Sequence, residues 1–209
     1  MNCIFGVDKK ISGNIYLKGK DITPLSPFDA VKKGMAYITE SRRENGFFGN
    51  FSISQNIAIS KSLKDGGFKG ALGLFKPNEE KILSEQQKNK LSIKCASVDQ
   101  NITELSGGNQ QKVIISKWMV CNPEVVIFDE PTRGIDVGAK SEIYRIMREL
   151  SMEGKAILMV SSELPEIISV CDRVVVFRGG EISKILDNNE NLTEELIMSW
   201  ALPGEKGAI

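Results

Sequence analysis

The sequence predicts an α/β protein, a mostly parallel sheet with helices on both faces. Three observations carry that prediction. Met35–Thr39, Val125–Phe128 and Ala156–Val160 are apolar runs without the alternation of a half-solvated strand, the mark of strands covered on both faces. Capped or amphipathic segments of helical length separate them, so strands and helices alternate along the chain. The third is Leu105-Ser106-Gly107-Gly108-Asn109-Gln110-Gln111-Lys112, a helix start with serine as cap and two glycines that let backbone N–H groups approach a ligand. The dipole of the helix behind them favours an anion, so this turn has a phosphate-binding design.

Taken in order, Cys3–Asp8 is short and apolar and reads as the end of a helix. Asn14–Ile22 alternates enough for one strand ending in a turn. Ser26-Pro27 starts a short helix through about Lys33, with serine as cap and proline at the first helical position, and Gly34 ends it. The strand at Met35 leads into a polar loop, Glu40-Ser41-Arg42-Arg43-Glu44-Asn45-Gly46, and then into an amphipathic segment, Ser52–Ser60. Lys61–Phe75 is rich in Gly and Lys with little periodicity and reads as a loop; its Gly66-Gly67-Phe68-Lys69-Gly70 is not a phosphate loop. Asn78–Leu91 is a polar helix whose narrow apolar stripe, with Ile82, Leu83 and Leu91, is expected against the helix that begins after Ser106.

That helix continues as a buried one through Val120 until Asn122-Pro123 stops it. The strand from Val125 then delivers Asp129 and Glu130 to its carboxyl end, where open α/β sheets place their ligands, and carboxylates there suit a metal ion and an attacking water. From Lys140 to Glu153, Ile143, Ile146, Met147 and Leu150 form the apolar stripe of a helix closed by Gly154. Ala156–Val160 is read as another buried strand, Asp172–Lys184 as a hairpin turning at Gly179-Gly180, and Thr193–Trp200 as a closing helix before a frayed tail after Pro203.

At this spacing the Leu105–Lys112 segment and the strand ending in Asp129-Glu130 resemble the signature sequence and Walker B strand of ATP-binding cassette ATPases. The likeness continues into Pro131-Thr132-Arg133-Gly134-Ile135-Asp136-Val137-Gly138-Ala139-Lys140, which is similar to the family's D-loop region in bacterial monosaccharide importers, and it runs from about Phe5 to the last helix. It implies a P-loop NTPase-like fold with small antiparallel β elements, in which residues 1–209 are one partial, N-terminally truncated ATP-binding domain and about 50–121 a helical signature subdomain.

The resemblance also implies ATP and Mg2+. Ser106, Gly107, Gly108, Asn109, Glu40 and Asp136 would meet the nucleotide, Asp129 would hold the metal, and Glu130 would be the base or water-orienting carboxylate. Glu40 stands where the family usually carries a glutamine that touches metal and water; Glu40-Ser41-Arg42 is similar to the Glu-Asp-Arg of second cassettes in monosaccharide importers. The structural alternative for this loop is a solvated turn with two arginines. Ser162 falls at the switch-loop position, where family members usually place a histidine; this chain has none.

A phosphate loop of the form Gly-x-x-x-x-Gly-Lys-Ser/Thr is not found: Gly19-Lys20 precedes Asp21 and Gly154-Lys155 precedes Ala156. In the family that loop lies just upstream of the segment that Met1–Asp8 resembles. The expectation is therefore a fragment of an importer's ATP-binding subunit, which couples ATP binding and hydrolysis to sugar uptake by giving its signature in trans to ATP held on a first cassette, in the same full-length protein or a second copy. Its own site should be weak, because polyphosphate brings about three to four negative charges beside two carboxylates with no cation to offset them. The alternative is a non-catalytic remnant or regulatory module docked on the permease.

Implied partners are that first cassette, a transmembrane sugar permease and, indirectly, a periplasmic or extracellular sugar-binding protein, which places the chain peripherally on the cytoplasmic face of the membrane. Composition agrees with these limits. Lys plus Arg and Asp plus Glu are both 27, so no bulk charge points to nucleic acid, and nothing between Lys61 and Leu91 is long enough for the coiled-coil insertions of DNA- or ribosome-acting cassettes. Cys3, Cys95, Cys121 and Cys171 are scattered without a Cys-x-x-Cys pair and read as small core residues in a reducing compartment. No apolar run approaches the ~20 residues of a membrane helix.

Overall fold

The computed structural model describes residues 1–65 and 77–202. The chain divides into two units at Leu158/Met159.

In the first unit a single turn of helix, α1 (Asn2–Phe5), is closed by Gly6 at φ 79°. A Cβ on Gly6 would stand 3.0 Å from the Ser26 carbonyl carbon, so glycine is required there for both conformation and space. The strand expected over 14–22 is instead a minimal hairpin, β1 (Tyr16–Leu17) and β2 (Lys20–Asp21), turning through Lys18 and Gly19 at φ 49° and 76°. Positive φ at both central residues is the turn that matches strand twist, and it overrides the apparent alternation.

Helix α2 (Pro27–Lys32) starts as expected, the Ser26 hydroxyl accepting from the Asp29 N–H at 3.2 Å. Strand β3 (Met35–Ile38) is wholly buried and runs parallel to β4 (Val125–Asp129), with Tyr37 opposite Ile127. Strand β5 (Ala156–Val160) completes a sheet of order β3-β4-β5. Contrary to expectation β5 is not buried: Ala156 and Leu158 are exposed and the others half-buried. The reason is positional, since among the described residues β5 ends the strand order and has a neighbouring strand on one side only.

The loop after β3 contains a π-helical turn, Arg42–Gly46. Helix α3 (Ile53–Lys64) opens with a full capping box between Ser52 and Gln55 and runs four residues past the expected Ser60; the rest of the Lys61–Phe75 loop lies almost wholly outside the described residues. Helix α4 (Pro77–Lys90) and α5 (Gly107–Met119) both pack on α3, around Ile53, Ile57, Ile102, Ile114 and Ile115. Asn56 is fully buried among them because its amide is used: Oδ1 accepts from the Phe48 N–H at 2.8 Å and Nδ2 donates to the carbonyls of Phe48 and Ser52.

A second core lies under the sheet. Phe5, Val31, Met35, Tyr37, Cys121, Val125 and Ile127 cluster there, with the Phe5 ring 5.3 Å from Tyr37 and 5.9 Å from Trp118. Helix α6 (Val137–Met152) buries the stripe Ile143, Ile146, Met147 and Leu150, as its periodicity predicts, but begins three residues before Lys140, with Asp136 as cap.

The second unit holds α7 (Leu164–Val170), the antiparallel pair β6 (Arg173–Arg178) and β7 (Glu181–Asp187), and α8 (Glu194–Ala201). Val174 and Val176 point to a small core with Leu192 and Ile197. The opposite face carries Val175 across from Ile185 and Phe177 across from Ile182, all four exposed. The expected tail after Pro203 lies outside the described residues.

Candidate nucleotide site

The carboxyl end of β4 is where the acids emerge. Side chains alternate along a strand, so Ile127 and Asp129 share a face, and Tyr37, opposite Ile127, shares it too. The consequence is a direct contact: the Tyr37 phenol stands 2.6 Å from Asp129 Oδ2 and 3.1 Å from Asn2 Oδ1. Burial, then this carboxylate, raises the Tyr37 pKa far above the usual phenol value, so the hydroxyl stays protonated and donates to Asp129. Glu130, the next residue, sits at φ 50°, in the left-handed region that glutamate rarely adopts. That conformation turns the chain sharply out of the strand toward Arg133, whose N–H returns to the Glu130 carbonyl at 3.2 Å.

Arg133 forms an ion pair with Glu40. The residue at the glutamine position of the resemblance is therefore tied to the loop that follows the acids. Among the described residues no three His, Cys, Asp or Glu side chains are grouped to hold a metal. Asp129 and Glu130 fit Mg2+ in a narrower way, since that ion takes one or two carboxylates and draws its other ligands from phosphates and water.

The Ser106–Asn109 segment lies at a different place, the first turn of α5. Ser106 caps the helix through its backbone only; its hydroxyl accepts instead from Asn109 Nδ2 at 2.9 Å, a correction to the expected side-chain cap. Asn109 Oδ1 in turn accepts from the Lys94 N–H at 2.8 Å. The amide thus holds the serine oxygen in place, while the hydroxyl proton and the N–H groups of the first turn are left to meet an acceptor.

The two glycines have separate reasons. A Cβ on Gly108 would fall 2.5 Å from Ala139 Cβ on α6, so this glycine sets how closely the two helices approach. A Cβ on Gly107 would meet Arg42 Nη2 at 3.1 Å, and Arg42 Nη1 donates to the Gly107 carbonyl at 3.2 Å. Because α5 and α6 are drawn together, their N-termini open into one cleft of about 310 Å³, lined by Ser106, Gly108, Asn109 and Lys94 on one side and by Asp136, Gly138, Ala139 and Glu142 on the other. Asp136 caps α6, its Oδ1 accepting from the Ala139 N–H at 2.9 Å. Behind the cleft Lys112, almost fully buried, donates to the Ser92 carbonyl at 2.9 Å and pairs with Glu142.

The structure therefore brings Ser106, Gly108, Asn109 and Asp136 together at one cleft, and places Asp129 and Glu130 at another point, with Glu40 joined to it through Arg133. Ser162 belongs to the second unit, exposed in the turn before α7, between Ser161, whose hydroxyl donates to Glu166 at 2.9 Å, and Glu163. Tyr37, Arg42, Arg133 and Lys94 were not singled out in the sequence as site residues. For Tyr37 a signal existed, the one polar tip in an apolar strand parallel to the strand of the acids.

This arrangement, a parallel-sheet strand ending in paired acids and a glycine-rich start to a helix packed on α3, is that of an ATP-binding cassette. The chain belongs to the ABC transporter family, whose model matches residues 1–133. It is 69% identical over 205 residues to the D-allose import ATP-binding protein AlsA of Escherichia coli, covering 98% of this chain and 40% of that protein. It is 46% identical over 206 residues to the ribose import ATP-binding protein RbsA of Oceanobacillus iheyensis, again 98% of this chain and 40% of the relative. The chain thus spans about 40% of the length of the curated relatives it matches. In fold it is similar to a dimeric post-hydrolysis state of the ATP-binding cassette MJ0796 bound to ADP and Pi, with TM-score 0.72 and 18% identity over 90% of this chain and 78% of that one. It is likewise similar to the ATP-binding cassette MJ1267 of an ABC transporter, with TM-score 0.75 and 22% identity over 95% of this chain and 76% of that one.

Proposed function

We propose that this chain acts as a signature-bearing cassette in the ATP-binding subunit of a sugar importer, coupling ATP binding and hydrolysis to uptake. It gives the first turn of α5 in trans to the terminal phosphate of an ATP held by another cassette. The observation that carries this reading is the state of that turn: Ser106 is oriented by Asn109, its helix is not capped by a side chain, and the turn opens on the cleft shared with the N-terminus of α6. Backbone N–H groups and the Ser106 hydroxyl would contact the phosphate, and Asp136 would orient the D-loop against the same nucleotide. The likeness to the allose and ribose import proteins supports the sugar class, a transmembrane permease as partner and, through it, an external sugar-binding protein. No helix among the described residues is long and apolar enough to cross a membrane, which suits a peripheral subunit on the cytoplasmic face.

At this cassette's own site Asp129 would hold Mg2+ arriving with a nucleotide, and Glu130 would orient the attacking water. Ser162, at the switch-loop position of the resemblance, would lack the proton chemistry of an imidazole. A second reading, a regulatory module that docks on the permease without turnover, is favoured by one observation: Asp129 is already engaged by Tyr37 and Glu40 by Arg133. Calorimetry with Mg-ATP separates the two. The signature reading expects no binding by the 209-residue chain alone, hydrolysis when an intact cassette is supplied, and loss of that hydrolysis in Ser106→Arg. Tight binding by the chain alone, abolished in Glu130→Gln, would overturn it, and an intact cassette unaffected by the chain would favour the regulatory module.

A further inference from the structure

The turn between β3 and α3 touches α5 at two points, and each contact sets a cation on a backbone carbonyl. Arg42 opens the π-helical turn, and its guanidinium lies on the first turn of α5, donating to the Gly107 carbonyl at 3.2 Å. At the other end Gly46 packs so closely that a Cβ there would stand 2.7 Å from Ile114 Cδ1, and Lys117 Nζ donates to the Gly46 carbonyl. Gly107, Ile114 and Lys117 follow one another along one side of α5. Among the described residues neither Arg42 nor Lys117 forms an ion pair, and Arg42 Nε is buried without a partner.

Holding two cations against neutral carbonyls is unfavourable compared with apolar side chains of the same length. Apolar contacts would press the turn on the helix equally well, but they have no direction. Hydrogen bonds from a guanidinium and an ammonium fix where along the helix each end of the turn stands. The same short segment begins at Glu40, which pairs with Arg133 just past Glu130. Seven residues, 40–46, are thus tied to the loop behind the acids at one end and to the signature helix at the other.

We infer that Arg42 and Lys117 are positioning residues, which together staple the Arg42–Gly46 turn to α5 and hold the Ser106–Gly108 turn at a fixed offset from the Glu40–Arg133 pair. The value of that offset for ATP hydrolysis rests on the signature reading above; the staple itself does not.

Hydrogen exchange on the whole chain, followed by mass spectrometry, tests it. In Arg42→Ala the amides of Gln110 and Gln111, the first in α5 with acceptors inside the helix, should exchange about tenfold faster or more, while β4 keeps its protection and the melting temperature holds. Arg42→Lys should recover most of the protection, since one charged donor still reaches the carbonyl. Lys117→Met should loosen the amide of Asn45, which bonds to Ser41 within the turn. Unchanged exchange at Gln110 and Gln111 in Arg42→Ala would overturn the inference, as would equal acceleration in α5 and β4, the mark of general destabilisation. If the wild-type chain fails to support hydrolysis by an intact cassette, the signature reading falls and the exchange result still decides the staple. If it succeeds, Arg42→Ala should lower kcat with the KM for ATP unchanged, and Arg42→Lys should restore it.

Discussion

The phenol of Tyr37 reaches across from β3 to Asp129 at the end of β4, 2.6 Å from Oδ2, and so one oxygen of that carboxylate is occupied from within the fold. Tyr37→Phe removes a charge-assisted hydrogen bond without changing shape, and stability should fall by about 1–2 kcal/mol, read by urea unfolding near neutral pH. The same contact has a titration signature. With its folded pKa raised above the unfolded value, Tyr37 contributes stability that is complete below pH 10 and is lost as pH rises further. An ultraviolet titration should show the Tyr37 part of the absorbance change displaced well above the usual phenol range, and Asp129→Asn should undo part of that displacement, the rest coming from burial.

Lys117 offers the opposite sign. Burial pushes its ammonium down to about 8 from 10.5, so between those values the unfolded chain binds the proton that the folded chain has lost. Stability therefore gains a contribution that rises from about pH 8 to pH 10.5. Unfolding midpoints measured at pH 7.5 and pH 10 should differ less in Lys117→Met than in the wild type, by the amount this one amine supplies.

The two glycines after Ser106 should respond unequally to alanine. At Gly108 the new methyl would meet Ala139 Cβ at 2.5 Å on a rigid helix face, and overpacking of that kind costs about 1–3 kcal/mol. At Gly107 it meets the far end of an arginine side chain, which can shift, so the loss should be well under half as large. Thermal melts of the two single variants, compared side by side, check the ranking.

Thiol chemistry reports burial independently. Burial pushes the Cys121 thiol up to about 11 and raises those of Cys95 and Cys171, while Cys3 is exposed. At pH 8 iodoacetamide should modify Cys3 first and Cys121 last, roughly a hundredfold or more apart, with peptide mass spectrometry as the readout.

Much of the architecture was legible because it depends on local pattern. Unalternating apolar runs located β3 and β4, and Ser26-Pro27 and the stripe Ile143, Ile146, Met147 and Leu150 located their helices. What was not legible depends on neighbours. Ala156–Val160 has the composition of a covered strand, and only the strand order reveals that one side is open. The Lys18-Gly19 turn was legible in principle and was masked by the alternation around it. At the site, residue types placed Ser106, Asp129 and Glu130, but the partners that hold them come from remote segments: Asn109 engages Lys94 beyond its own helix, Tyr37 lies ninety-two residues before Asp129, and Arg42 sixty-five before Gly107.

The contact between Gly108 and Ala139 has room for a single methyl group, carried by α6. The quantity that matters is then the sum across the contact and not the letter at either position. A glycine at 139 would release space for an alanine at 108, and the same closeness between the two helix starts would return with the roles exchanged. Ser106 is held by its own hydrogen bond to Asn109, whereas helix approach constrains 108 and 139 as a pair, and a substitution there acquires its meaning only when the other half of the pair is known.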